Sequence, residues 1–288
     1  MKKLFFSVLF VALVLSVGTA AADRLDQMIS PVSNPVNFED PRINSEFRFI
    51  FKHHEFDDKF VTAGGDLQLY ALQLRYAINE DWAFIATKDG YIDFNPEALP
   101  NDSGWANVEP GVKYAFYKDA EAGNIASAIL RYEIPLGDQE VFQGRGDGVL
   151  HPSISAAFAL GADTNFMTAS GLRIPMDDDD SMLWDLDLHL DHQIPLGGEM
   201  SLYPLIEVNM VHVANAGKRL PIADEGADVI NFGSTESGGK TLVTGAVGTR
   251  LRVNDSVDVG VAYQIPLTSG EGSYLFDWRL TADVIVSF

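Results

Sequence analysis

The stretch Tyr274-Leu275-Phe276-Asp277-Trp278-Arg279-Leu280-Thr281-Ala282-Asp283-Val284-Ile285-Val286-Ser287-Phe288 decides the fold class. Phe276, Trp278, Leu280, Ala282, Val284, Val286 and Phe288 share one parity, and Asp277, Arg279, Thr281, Asp283 and Ser287 the other. Successive side chains of a strand point to opposite faces, so this is a strand with one apolar and one polar face.

The same pattern recurs upstream. Trp184, Leu186, Leu188, Leu190 and Ile194 alternate with Asp185, Asp187, His189, Asp191 and Gln193. A helix would spread those aspartates around its circumference. Phe47, Phe49 and Phe51 oppose Glu46, Arg48 and Lys52, while Tyr70, Leu72, Leu74, Tyr76 and Ile78 oppose Gln73 and Arg75. From Ser45 onward the chain divides into about twelve such segments: 45–54, 67–78, 82–88, 105–116, 125–136, 149–160, 165–176, 183–194, 202–213, 240–253, 257–267 and 274–288. Lys88 is the one formally charged residue on these apolar faces.

The first residues carry an address. Lys2 and Lys3 precede an apolar run over 4–17 and the small residues Gly18-Thr19-Ala20-Ala21-Ala22. This is the layout of a secretory signal peptide, read as residues 1–22. Its apolar run is too short to cross a bilayer as a helix, and no later stretch reaches the ~20 residues required. Any membrane crossing must therefore use strands.

The formal charge of −21 becomes more negative once the signal's two lysines leave. Such an acid excess argues against nucleic acid or anionic lipid headgroups as direct partners. Without cysteine there are no disulfides, thiol chemistry or cysteine-ligated metals. No cofactor or metal-ligand motif stands out, and none is expected.

Connection lengths separate a barrel from a sandwich. The connections at 79–81, 118–124, 161–164, 197–200 and 254–256 are short, whereas those at 89–104, 137–148 and 214–239 are long. Short turns on one rim, longer loops on the other and an even strand count are the layout of a transmembrane barrel. Tyr76, Trp82, Tyr114, Phe116, Tyr132, Trp184 and Trp278 stand near strand ends on the apolar face, where a membrane interface favours them. The expected fold is all-β: a transmembrane antiparallel up-and-down barrel of about 12 strands over 45–288. A final strand ending in Phe288 resembles the signal that outer-membrane barrels present to their assembly machinery. The expected location is the bacterial outer membrane, with that machinery, outer-membrane lipid and lipopolysaccharide as partners.

Leu74-Arg75-Tyr76-Ala77-Ile78-Asn79-Glu80-Asp81, Gly111-Val112-Lys113-Tyr114, Arg131-Tyr132-Glu133-Ile134-Pro135-Leu136-Gly137-Asp138 and Tyr263 resemble segments of the outer-membrane family named for the meta-pathway of phenol degradation. The resemblance implies a barrel passing small apolar or aromatic solutes; it implies no binding residues.

With apolar faces outward, the polar faces line the lumen. Arg173, Asp185, Asp187, His189, Asp191, Arg131, Glu133 and Arg279 are the candidate constriction residues of a channel. The short connection between the seventh and eighth segments places Arg173 near Asp185 and Asp187. A network of pairs without a pore is the alternative, since a buried charge needs a partner. Residues 23–44, with Pro31, Pro35 and Pro41, form either a periplasmic arm without order or a plug. Their segment Ser33-Asn34-Pro35-Val36-Asn37-Phe38 resembles the hatch of fatty-acid and hydrocarbon channels. Asp177-Asp178-Asp179-Asp180 is an acidic outer loop able to take hard cations.

An enzyme reading rests on His151, Ser153 and Asn165, whose spacing is similar to that of outer-membrane phospholipase A. Nucleophilic catalysis requires all three to meet. Strand geometry instead places Asn165 about 20 Å from Ser153 at ~3.3 Å per residue, and points His151 and Ser153 away from lipid. No catalytic residues are assigned. The expected function is passive uptake of small solutes, with a closed surface barrel as the alternative.

Overall fold

The computed structural model describes residues 24–288, so the signal read over 1–22 lies outside the described residues. The strands are β1 (Glu46–Glu55), β2 (Gly65–Ala77), β3 (Trp82–Lys88), β4 (Tyr91–Pro96), β5 (Asp102–Trp105), β6 (Glu109–Asp119), β7 (Asn124–Glu133) and β8 (Val149–Ala159). They continue with β9 (Thr164–Pro175), β10 (Met182–His192), β11 (Ile194–Gly197), β12 (Met200–Asn215), β13 (Thr241–Asn254), β14 (Val257–Pro266) and β15 (Trp278–Ser287).

Every ladder is antiparallel, and β1 pairs with both β2 and β15, so the sheet closes on itself. β3 and β4 both pair with β2 and act as one interrupted strand; β5 and β6 form the next. β11 continues β10 along β12, so the wall has 12 strands. Closure leaves no unpaired edge, which a bilayer demands of any spanning sheet.

The barrel is inside out relative to a soluble protein. Arg48, Arg75, Arg131, Arg250 and Arg279 are fully buried, whereas Phe49, Tyr76, Leu136 and Phe288 are exposed. Such a surface is stable against hydrocarbon and would be costly in water. Aromatic pairs mark the apolar band at its margins: Trp82 stacks on Tyr114 at 4.5 Å, Phe47 on Phe288 at 5.2 Å and Tyr263 on Trp278 at 5.8 Å.

Three expectations need correction. The span 89–104 is no loop: β4 and β5 carry the hairpin outward, leaving only 97–101 as its tip. Lys88 does not face outward, because the register shifts between Ala86 and Lys88. That bulge places Thr87 and Lys88 on the same inner side, and Lys88 pairs with Glu133 at 2.6 Å. Phe276 precedes the start of β15 and is buried in a cluster beneath the outer loops, not on the apolar band.

A lumen closed from both ends as the candidate functional site

Residues 24–44 run inside the wall. Leu25, Met28 and Phe38 pack on Ala115, Ile125, Met167 and Ala169, and Ile29 and Val32 on Tyr203 and Leu205. The segment is a series of turns and bends, and its three prolines leave it short of backbone donors. Several of its backbone groups are met by wall side chains, as buried polar groups require. The Val32 and Ser33 amides donate to the two Glu207 oxygens at 2.8 and 2.6 Å. Arg48 donates to the Pro31 carbonyl at 2.6 Å, Gln73 to Pro35 at 2.8 Å, and Arg131 to Val36.

The arm's own acids complete the wall's charges. Glu39 accepts from Arg75 at 2.6 Å and from Lys113 at 2.8 Å, with all three side chains at or below 2% exposure. Asn34 donates to Asp187 at 3.0 Å, and Asn209 donates to the same oxygen at 2.8 Å.

The opposite end is closed by the loop 216–240 between β12 and β13. Phe232 from this loop joins a ring of five phenylalanines: Phe56 to Phe94 at 5.7 Å, Phe94 to Phe142 at 5.7 Å, Phe142 to Phe232 at 5.4 Å, Phe232 to Phe60 at 6.0 Å and Phe60 to Phe56 at 5.8 Å. Three successive edge-on contacts run from Phe56 to Phe232, and a tilted and a stacked contact close the ring, the edge-on geometry being one that the ring quadrupoles prefer. Ile92, Leu275 and Phe276 belong to the same cluster.

Small cavities lie inside the wall among the described residues. One of about 40 Å³ lies under the outer loops, lined by Lys88, Glu133, Arg173 and Asp228 among others. Another of about 10 Å³ lies deeper, lined by Asn34, Asn209, Asp228, Gln264 and Arg279. A single water needs about 10–15 Å³, so the deeper cavity is no larger than one water and the outer one has room for only a few.

The expected constriction residues do not form one ring. Arg173 grips Asp185 through two bonds of 2.7 Å, as expected, but Asp187 is held by the two asparagines instead. Glu133 pairs with Lys88, and Arg279 with Asp228 through bonds of 2.7 and 3.0 Å; both sit toward the outer loops. Arg131 meets Glu109 at 3.2 Å. Nearest the short-turn rim, His189 places one ring nitrogen 2.8 Å from Glu207 and the other 2.9 Å from Asp191. These groups are distributed along the barrel, most of them in ion pairs, while Asp187 is held by amides alone and its second oxygen has no hydrogen-bond partner.

The acidic outer loop is also partnered. The Asp177 carboxyl is pushed up by burial, but amides of Asp147, Asp179 and Asp180 outweigh this and hold it below its usual range. Asp178 pairs with Lys218 at 2.7 Å and Asp180 with Arg219 at 2.6 Å. Burial raises the Asp180 carboxyl to about 6 despite Arg219. Among the described residues, no group of three or more His or acidic side chains is placed to hold a metal ion.

His151, Ser153 and Asn165 do not meet. His151 donates to Glu109 at 3.1 Å and accepts from Arg131, Ser153 Oγ has no hydrogen-bond partner, and Asn165 donates to Asp191 at 2.9 Å. Ser153 lies opposite Gly171, and Asn165 opposite Ala159.

The residues that sequence reasoning missed are Glu39, Asp228 and the five phenylalanines. Of these, only Glu39 carried a signal, through its place in an arm already suspected of plugging the lumen.

No protein-family model matches the chain, and no curated protein matches it. Among solved structures, an outer-membrane channel from Pseudomonas putida F1 superposes with a TM-score of 0.59 at 14% identity, over 91% of this chain and 100% of that one. The NanC porin gives 0.50 at 10% identity, over 85% and 98%. The β domain of the Bordetella autotransporter BrkA gives 0.50 at 13% identity, over 85% and 100%. The chain thus has the fold of bacterial outer-membrane β-barrels.

Proposed function

We propose that the protein is an outer-membrane channel for small solutes, apolar or aromatic in body, whose lumen is shut in the resting form by two separable segments. One observation carries this reading. The lumen is filled by an arm and a loop, and not by wall side chains alone, as in small barrels whose interiors are packed. Arm and loop are attached through side-chain contacts and can leave without breaking the 12-stranded ladder. The phenylalanine ring at the outer mouth offers an apolar body the same contacts that the rings now give one another. The similarity to the P. putida channel and the NanC porin supports this reading, as does the likeness to the phenol-degradation family.

The test is planar-bilayer conductance of the mature protein and of a variant lacking residues 23–44. Rare steps in the first and frequent, larger steps in the second are expected. Silence from both would refute the channel.

The tight closure also favours a second reading, a closed surface barrel whose acidic loops engage divalent cations and, through them, lipopolysaccharide. That reading requires calcium to alter hydrogen exchange at residues 177–180, an effect the channel does not need.

A further inference from the structure

Asp228 lies on the loop 216–240, yet its carboxylate is inside the wall and only 7% exposed. It accepts two bonds from Arg279 of β15, at 2.7 and 3.0 Å, and lies 3.8 Å from the Lys52 ammonium of β1. Arg173 of β9 donates to the preceding carbonyl, Ala227, at 2.7 Å. The loop is thus tied to the wall by three cations from three strands.

Without the loop, two of those cations would lack an acid. Arg173 keeps Asp185, but the remaining partners of Arg279 are His54 and Gln264, both acceptors without formal charge there. Among the described residues, no carboxylate other than Asp228 lies within 4 Å of Lys52 or Arg279. A buried cation without a counter-charge is costly, so the bare wall would present an anion site. Arginine's paired donors match a carboxylate in particular.

The surroundings specify the rest of the ligand. The Arg279 guanidinium stands 4.3 Å over the Phe276 ring, and Phe276 belongs to the same cluster as the phenylalanine ring. An anion bound at Arg279 would therefore have its body among aromatic side chains. Asp228 lines both of these lumen cavities.

We propose that Lys52 and Arg279 form a binding site for small monocarboxylates with an aromatic or apolar body, which Asp228 occupies as an internal stand-in until such a solute displaces it and frees the outer loop. The proposal rests on the channel reading and gives it a substrate class and an opening trigger.

The test uses the full mature protein in planar bilayers, with benzoate as probe and benzamide, its uncharged counterpart, as control. Benzoate should raise opening frequency in a saturable way, and benzamide at equal concentration should not. Asp228→Asn should open without benzoate. Lys52→Gln should raise the half-saturating benzoate concentration about tenfold, the equivalent of ~1.4 kcal/mol. Openings indifferent to benzoate, or equal responses to both probes, would overturn the site while leaving the channel intact. If neither protein conducts, the channel fails. Calorimetric titration of the detergent-solubilised protein then decides the site alone: tighter benzoate binding by Asp228→Asn than by wild type upholds it, and equal or absent binding overturns it.

Discussion

Glu39→Ala should release the arm. In the closed lumen Glu39 is fully buried between Arg75 and Lys113, with contacts of 2.6 and 2.8 Å. Removing one member of a buried charge cluster costs about 3–5 kcal/mol, because the partners remain buried without compensation. Arg75 retains Glu46 at 3.3 Å, and Lys113 retains the Asp40 carbonyl at 2.7 Å, which argues for the lower figure. A loss of ~3 kcal/mol shifts the docked-to-released equilibrium of the arm roughly a hundredfold, at ~1.4 kcal/mol per factor of ten. The wall ladders do not involve Glu39, so the barrel should still form. Hydrogen exchange over residues 24–44 reads the equilibrium directly, and conductance reads its consequence. Glu121→Gln, on an exposed turn, is the control. Exchange in the Glu39→Ala arm within threefold of wild type would show that the arm is not held by this charge cluster, and the reasoning would fail.

Phe232→Ala removes one member of the phenylalanine ring and should cost about 3–5 kcal/mol of local stability, with protease cleavage in 216–240 as the readout. Gly233 has φ +61°, and a Cβ there would lie 1.9 Å from the Asp179 carbonyl oxygen, so Gly233→Val should detach the same loop and increase conductance. Because burial raises the folded Asp180 carboxyl from 3.8 to about 6, its ionisation opposes the folded loop. Its contribution to stability should be complete below about pH 3.8 and lost as pH rises through about 6. The difference in loop exchange between wild type and Asp180→Asn, followed from pH 7.5 to 5, should trace that loss; a flat difference would contradict it.

Strand parity was legible because it is local. Along β10, the alternation of Leu186 and Leu188 with Asp185 and Asp187 needs no knowledge of any other segment. The Arg173–Asp185 pair was legible for nearly the same reason, since one short connection sets the register of β9 against β10. Lys88 was misplaced because a bulge inserts a residue without leaving a signature in the pattern of apolar residues. The span 89–104 was misread because the Asp89-Gly90 break interrupts the alternation while the ladder continues. Phe276 was misread because parity alone cannot say where a strand ends.

The amino-acid sequence by itself determined a barrel wall, its inner and outer faces and its two unlike rims, since a period of two and the lengths between strands encode all three. Whether that wall encloses a path was decided only in three dimensions. Glu39 meets Lys113 across 74 positions of chain, and Asp228 meets Arg279 across 51. Neither acid belongs to a strand, and its charge acquires a partner only when closure of the sheet brings cations from several strands around one lumen.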